Sequence, residues 1–193
     1  MNDEGLYTNT INDLLVSDDY TRSISEGTFA CDELKNIVIG DFPRCIVVNL
    51  DRSDQPGSHW VGLYFVSPSE VEFFDSYGRE LKKYSDIDLF VRSNVRGKKS
   101  IIENRCILQG DDTNVCGQWT VQFLWLRSRG LILEDFLSIF DDRKSGYYDN
   151  YINESVIIQY CKNSGCAALF VIPDSSNSQN CLCKFQVCCA DLQ

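Results

Sequence analysis

Histidine occurs once in these 193 residues, at position 59, so any imidazole base in this chain has to be His59. Positive charge is scarce as well. Eighteen Lys and Arg stand against 28 Asp and Glu, a formal net charge of −10. A surface of that sign repels phosphate backbones and anionic lipid, which argues against general nucleic-acid or membrane-surface binding. The one local basic cluster, Arg92, Arg96, Lys98 and Lys99, reads as a solvated loop. No apolar run reaches the roughly 20 residues of a membrane-spanning helix. The opening Met-Asn-Asp-Glu has neither the basic nor the apolar region of a secretory signal, so an intracellular protein is expected.

What is present describes a globular chain. Hydrophobic residues make up 44% and aromatics 12%, and the length suits one domain over 1–193 with a substantial core. Ten cysteines are fewer than a disulfide scaffold uses, and without a secretory signal reduced thiols are the default. Six of them, Cys161, Cys166, Cys181, Cys183, Cys188 and Cys189, form a Cys-rich tail over 161–193. Its C-x-C-x4-C-C spacing is not the paired C-x2-C of zinc sites, and no histidine lies near. Free or locally paired thiols are expected there rather than a metal.

The pattern along the chain is α+β. Thr10 to Asp18 reads as a short helix capped by Thr10, with Ile11, Leu14 and Leu15 on its apolar face. Ser23 to Asp41 reads as irregular. Arg44 to Leu50 is a buried, β-branched strand, and Asp51 to Ser58 is a turn-rich loop. His59 to Phe65 and Glu70 to Phe74, joined through Ser67-Pro68-Ser69, predict an antiparallel hairpin. Ser85 to Ser93 reads as a helix capped by Ser85, and Ile101 to Leu108 as a strand. Helices are expected over Leu133 to Phe140 and Asn150 to Cys161, and an edge strand over Ala168 to Ile172. Together these predict a central, mostly antiparallel sheet packed by helices from both ends of the chain.

The segment Q-G-D-D-T-N-V-C-G-Q-W-T-V-Q-F-L-W, from Gln109 to Trp125, organises the rest. Cys116 opens a run that is apolar almost all round the helical wheel, which marks a helix buried in a core. Arg127 and Arg129 in its last turn suit the negative end of the dipole, and Gly130 stops it. A cysteine at a helix N-terminus is favoured as thiolate, and the free N–H groups there can hold an oxyanion. Taken alone, Cys116 is as readily a small buried hydrophobe. The hairpin changes that weighting. In an antiparallel pair the first residue of one strand lies across from the last residue of the next, which brings His59 and Asp75 to the same sheet end. Asp75 is then placed to orient the imidazole, and Gln109 to donate its amide to an oxyanion beside the Cys116 N–H. Alone, Asp75 is an ordinary turn aspartate and Gln109 a polar residue beside a loop.

The segments H-W-V-G-L-Y-F, F-F-D-S-Y-G and L-Q-G-D-D-T-N-V-C-G resemble the adenovirus-type cysteine endopeptidases, the adenain family, over roughly Cys45 to Leu126. The family order of His-Trp, acidic residue, Gln and Cys-Gly falls on His59-Trp60, Asp75, Gln109 and Cys116-Gly117. The ubiquitin- and SUMO-type deconjugating proteases share the order, but they usually have Gln six residues before the Cys, with Asp directly before it. Here the gap is seven, Gly110 follows the Gln and Val115 precedes the Cys, which is similar to the adenovirus pattern. The resemblance implies a papain-like, adenain-like fold. It implies cleavage next to Gly in extended segments of viral or virus-like-element precursors, capsid or core, and a host-nuclear or virion setting. Trp60 would wall the substrate cleft or serve as a core aromatic.

Three departures bear on what carries over. The acidic member is Asp75 where adenoviral enzymes often have Glu. The chain is acidic where those DNA-stimulated enzymes are basic. The nearest counterpart of the cysteine that couples an activating peptide is Cys106, only three residues before Gln109. Neither DNA nor peptide activation is therefore expected, and no cofactor is called for. The alternatives are an isopeptidase acting on ubiquitin or a ubiquitin-like protein, a non-catalytic capsid-associated binding protein that kept the fold, and a thiol or zinc module built on the Cys-rich tail.

Overall fold

Five strands lie side by side in chain order: β1 (Ser25–Ala30), β2 (Arg44–Asn49), β3 (Trp60–Ser67), β4 (Glu70–Phe74) and β5 (Ser100–Glu103). The computed structural model describes residues 5–97, 100–140 and 143–163. β2–β3 and β3–β4 are antiparallel, as the hairpin pattern predicts, and β1–β2 and β4–β5 are parallel. The mostly antiparallel expectation thus describes the three central strands and gives way at both edges. A parallel pair needs a crossover, and each edge has one. The 3₁₀ helix Cys31–Asn36 lies between β1 and β2, and a helix lies between β4 and β5.

Six α-helices are described: α1 (Thr8–Ser17), α2 (Asp19–Arg22), α3 (Ser85–Asn94), α4 (Cys116–Ser128), α5 (Leu133–Ile139) and α6 (Asp149–Asn163). They cover both faces of the sheet. Side chains alternate across a strand, so β2 sends Cys45 and Val47 to one face and Ile46 and Val48 to the other. The first face packs on α1, α4, α5 and α6, with Phe74 stacked on Phe123 at 4.9 Å and edge-on to Phe136 at 5.5 Å. The second packs on α3 and the 3₁₀ helix through Phe65, Phe73, Ile87 and Phe90. Burial on both sides is why the central strands read as continuous apolar runs. Each large side chain removed from water in such a core contributes about 1.5–3 kcal/mol. The class is α+β, with a buried helix opened by Cys116 packed across the sheet.

Several local expectations are corrected. Ser23 to Asp41 is not irregular: it holds β1 and the 3₁₀ helix. S-E-G-T-F-A has neither alternation nor a β-branched run, and its strand geometry comes from pairing with β2. α1 starts at Thr8 with Tyr7 as N-cap, so Thr10 lies inside it, although Ile11, Leu14 and Leu15 are buried as expected. Ser85 is the first helical residue of α3, behind Tyr84 as N-cap. The strand expected over Ile101 to Leu108 stops at Glu103. Beyond it the Asn104 side chain binds the backbone of Asp75.

The expected strand at Ala168 to Ile172, the tail cysteines Cys166, Cys181, Cys183, Cys188 and Cys189, the side chain of Cys161, and Lys98 and Lys99 lie outside the described residues. Among the described residues, Cys31, Cys45, Cys106 and Cys116 are free thiols, and no helix is long and apolar enough to cross a membrane.

Candidate active site

The β3–β4 register pairs Gly62 with Phe74. Carried one step further it sets Asp75 against Val61, and His59 stands just before the first residue of β3. The two side chains meet there: His59 Nε2 lies 2.7 Å from Asp75 Oδ1. Asp75 is fully buried, and donors occupy both of its oxygens. The Tyr77 N–H donates to Oδ1 at 2.8 Å and the Tyr84 hydroxyl to Oδ2 at 2.7 Å. A backbone N–H only donates, so the carboxylate is the acceptor, and the ring carries its proton on Nε2. Burial by itself raises the Asp75 pKa, but the bonds from His59, Tyr84 and the Tyr77 N–H outweigh it and hold the carboxyl below its usual range.

The backbone of Asp75 is held just as firmly. Asn104 Oδ1 accepts from the Asp75 N–H at 2.8 Å, and Asn104 Nδ2 donates to the Asp75 carbonyl at 2.6 Å. Tyr77 stacks on the imidazole with ring centroids 4.8 Å apart, and the Arg79 guanidinium lies over the Tyr77 ring at 4.7 Å. The ring of His59 is thus fixed by one hydrogen bond and one aromatic face.

Cys116 reaches the same ring from α4. The helix is buried nearly all round because it runs between the sheet and α6. Val115 is its N-cap, and no side chain caps it. The first N–H groups of the helix have no intrahelical carbonyl to bind. The Cys116 thiol hydrogen-bonds to His59. With Nε2 on Asp75, the ring presents Nδ1 to the sulfur. Burial pulls the imidazole pKa down, but the hydrogen bonds to Asp75 and Cys116 and their negative charge outweigh it and raise the pKa to about 9. At neutral pH His59 is an imidazolium set between the Asp75 carboxylate and the Cys116 sulfur, an arrangement that favours thiolate chemistry.

Gln109 is fully buried. It sits in the loop that follows β5 rather than at a strand end. Its Nε2 donates to the Thr113 carbonyl at 2.8 Å, and its Oε1 accepts from the Ser76 hydroxyl at 2.7 Å. A carbonyl only accepts, so Thr113 decides which end of the amide is nitrogen. That nitrogen carries two hydrogens. Thr113 takes one, and the second can serve an oxygen in the cleft.

His59, Gln109 and Cys116 all line one cleft of about 460 Å³. Its other walls are the segment Gly5 to Thr8, the loop from Asn49 to Ser58, and Thr113 and Asn114. Trp60 lines it too, and its indole N–H donates to the Leu6 carbonyl at 2.9 Å. A Cβ added at Gly117 would lie 3.1 Å from Leu6 Cβ and 3.2 Å from Trp60 Cδ1. The residue after the cysteine therefore has to be small for the N-terminal segment and Trp60 to close beside the sulfur. Among the described residues, no group of three or more His, Cys, Asp or Glu side chains could hold a metal ion.

No family model and no curated protein matches this chain. Several solved structures are similar to it over most of its length. The ASFV pS273R protease is similar at TM-score 0.45 and 13% identity, over 86% of this chain and 69% of that one. The central domain of Lpg1148 from Legionella pneumophila is similar at 0.49 and 13%, over 83% and 98%. ChlaDub1 from Chlamydia trachomatis is similar at 0.45 and 13%, over 82% and 79%. At these identities and scores the likeness says nothing of chemistry.

Of the four residues singled out as a set in the sequence, His59, Gln109 and Cys116 line this cleft, Asp75 stands behind them bonded to His59, and Trp60 forms part of the wall. Their supports were not read from the sequence. Ser76 and Tyr84 carry no signal of a site role in the sequence, and Asn104 falls inside the run read as a strand over Ile101 to Leu108. One signal was available for Asn104: a polar residue within an apolar strand-like run needs a buried partner.

Proposed function

We propose that this chain is a cysteine endopeptidase. One observation carries the reading: a single imidazole is hydrogen-bonded to a buried carboxylate at 2.7 Å and to the thiol at the N-terminus of a buried helix, inside a cleft. Cys116 reacts as a thiolate beside the His59 imidazolium and attacks a scissile carbonyl carbon. The carbonyl oxygen becomes an oxyanion, held by the Cys116 N–H and the second Gln109 N–H. One donor of this kind contributes about 3–4 kcal/mol in the transition state. When the C–N bond breaks, the imidazolium passes its proton to the departing amine. Water, deprotonated by His59, then releases the acyl group and restores the thiolate and imidazolium. Asp75 keeps the ring in the tautomer that these transfers require.

The resemblance to adenain points to a substrate that is extended and carries Gly beside the cut bond, and Leu6 and Trp60 line the cleft beside Cys116 where it would lie. The sequence resemblance to adenain points to precursor proteins of a virus or virus-like element as the natural targets.

Active-site labelling tests the reading. Wild type and Cys116→Ala are treated with a Gly-Gly peptide vinyl sulfone and, separately, a ubiquitin-like vinyl sulfone, and their intact masses are measured. One adduct on wild type with the peptide probe, absent from Cys116→Ala, is expected. Reaction with the ubiquitin-like probe alone makes the chain an isopeptidase instead. Labelling that ignores Cys116, or none under reducing conditions, overturns a self-sufficient enzyme.

A further inference from the structure

Asp149 lies at the start of α6 and is nearly fully buried. Its carboxylate faces the loop that carries Gln109. Oδ2 accepts from the Gly110 N–H at 2.9 Å and from the Thr113 hydroxyl at 2.6 Å. Oδ1 accepts from the indole N–H of Trp119, one turn into α4 from Cys116, at 2.8 Å. The chain closes tightly behind these bonds. The Gly146 N–H donates to the Leu108 carbonyl at 2.8 Å. A Cβ on Gly146, which has φ +83°, would lie 3.0 Å from Gly110 Cα. Thus one carboxylate ties together both ends of the loop from Gly110 to Thr113 and the first turn of α4. The Thr113 carbonyl it secures is the group that orients Gln109 Nε2.

We infer that Asp149 is a positioning residue for the oxyanion hole, holding the Gln109 amide and the α4 N-terminus in register. This rests on the endopeptidase reading and adds to it a residue from the far end of the described chain. Two of its three donors, the Gly110 N–H and the Trp119 indole N–H, can never accept, so both carboxylate oxygens must be acceptors. An asparagine at 149 has the same shape. Whichever way its amide turns, its NH₂ faces one of those two donors.

Asp149→Asn is therefore the discriminating variant, measured beside Thr113→Val, which removes only the hydroxyl donor, in case the first does not fold. Hydrogen exchange over residues 109–115 should rise in either variant while β2 and β3 keep their protection. With a Gly-containing peptide substrate, kcat should fall about 10- to 100-fold in Asp149→Asn, no more than the 10²–10³ that loss of an oxyanion donor costs, with KM little changed. In a Gln109→Ala background the same substitution should lower kcat by clearly less than in wild type, because the part of its action that runs through Gln109 is already gone and only the part through the α4 N-terminus remains. Unchanged exchange in the loop, an equal kcat loss in both backgrounds, or an effect confined to KM overturns the inference. A wild type with no turnover, together with a loosened loop in the variant, upholds the clamp and overturns the hydrolase reading instead.

Discussion

Asn104 grips Asp75 by its backbone, accepting from its N–H at 2.8 Å and donating to its carbonyl at 2.6 Å, with no exposure to solvent at either residue. Asp75 in turn holds His59, so the orientation of the imidazole depends on a side chain that never touches it. The Asp75 carbonyl has a second partner in the Gly78 N–H at 2.7 Å, whereas its N–H depends on Asn104.

Asn104→Ala should leave that buried N–H unpaired and lower the free energy of unfolding by about 1–3 kcal/mol. Urea denaturation will read this as a lower midpoint at an unchanged slope. A midpoint equal to wild type would mean that the Asp75 backbone finds another partner.

The charge state of His59 gives a pH signature. Its folded pKa of about 9 lies above the ordinary 6.5. The stability this contributes is fully present below pH 6.5 and lost as pH rises through about 9. Activity that needs the imidazolium should fall along the same limb. For Asp75, whose pKa is lowered, the sign reverses: its contribution is present above the ordinary carboxylate pKa and lost as pH falls through the folded value. In Asp75→Asn the alkaline limb of kcat/KM should move down toward the ordinary imidazole range. A limb that stays in place would show that Asp75 does not set the charge of the ring.

Gln109→Ala should lower kcat by about 10²–10³ with little effect on KM, the pattern of a donor used only in the transition state. Ser76→Ala removes the hydroxyl that holds Gln109 Oε1. One such hydrogen bond is worth about 1 kcal/mol, so a fivefold to tenfold loss of kcat is expected. Steady-state kinetics on one peptide substrate decides both. A Ser76→Ala enzyme as slow as Gln109→Ala would give Ser76 a direct part in the chemistry.

Arg127 and Glu72 form a buried ion pair at 2.7 Å between α4 and β4, with the guanidinium 4.4 Å from the centre of the Tyr64 ring. Burial lifts the Glu72 carboxyl above its usual range even though Arg127 pulls the other way. Arg127→Ala should cost about 3–5 kcal/mol by leaving Glu72 alone in the core, and replacing both residues with leucine should recover most of it. Thermal unfolding of the single and double variants measures the difference. Equal losses in the two would point to lost packing rather than to an unpaired charge.

The residues of the candidate site could be read from the chain because short segments carry their own geometry. Continuous apolar runs announced β2 and β3, the tight link at Pro68 announced the hairpin, and hairpin register then put His59 and Asp75 at one sheet end. A helix apolar on every side had to be central, which placed Cys116 at a buried N-terminus. β1 and the early end of β5 were beyond that reach, since an edge strand takes its form from its neighbour's hydrogen bonds and the Asn104 side chain finds a partner 29 positions away. The same holds for Ser76 on Gln109, Tyr84 on Asp75 and Asp149 on the loop from Gly110 to Thr113. A hydrogen bond depends on a few tenths of an ångström between groups distant in sequence. Such a distance exists only once sheet, α4 and α6 have stacked.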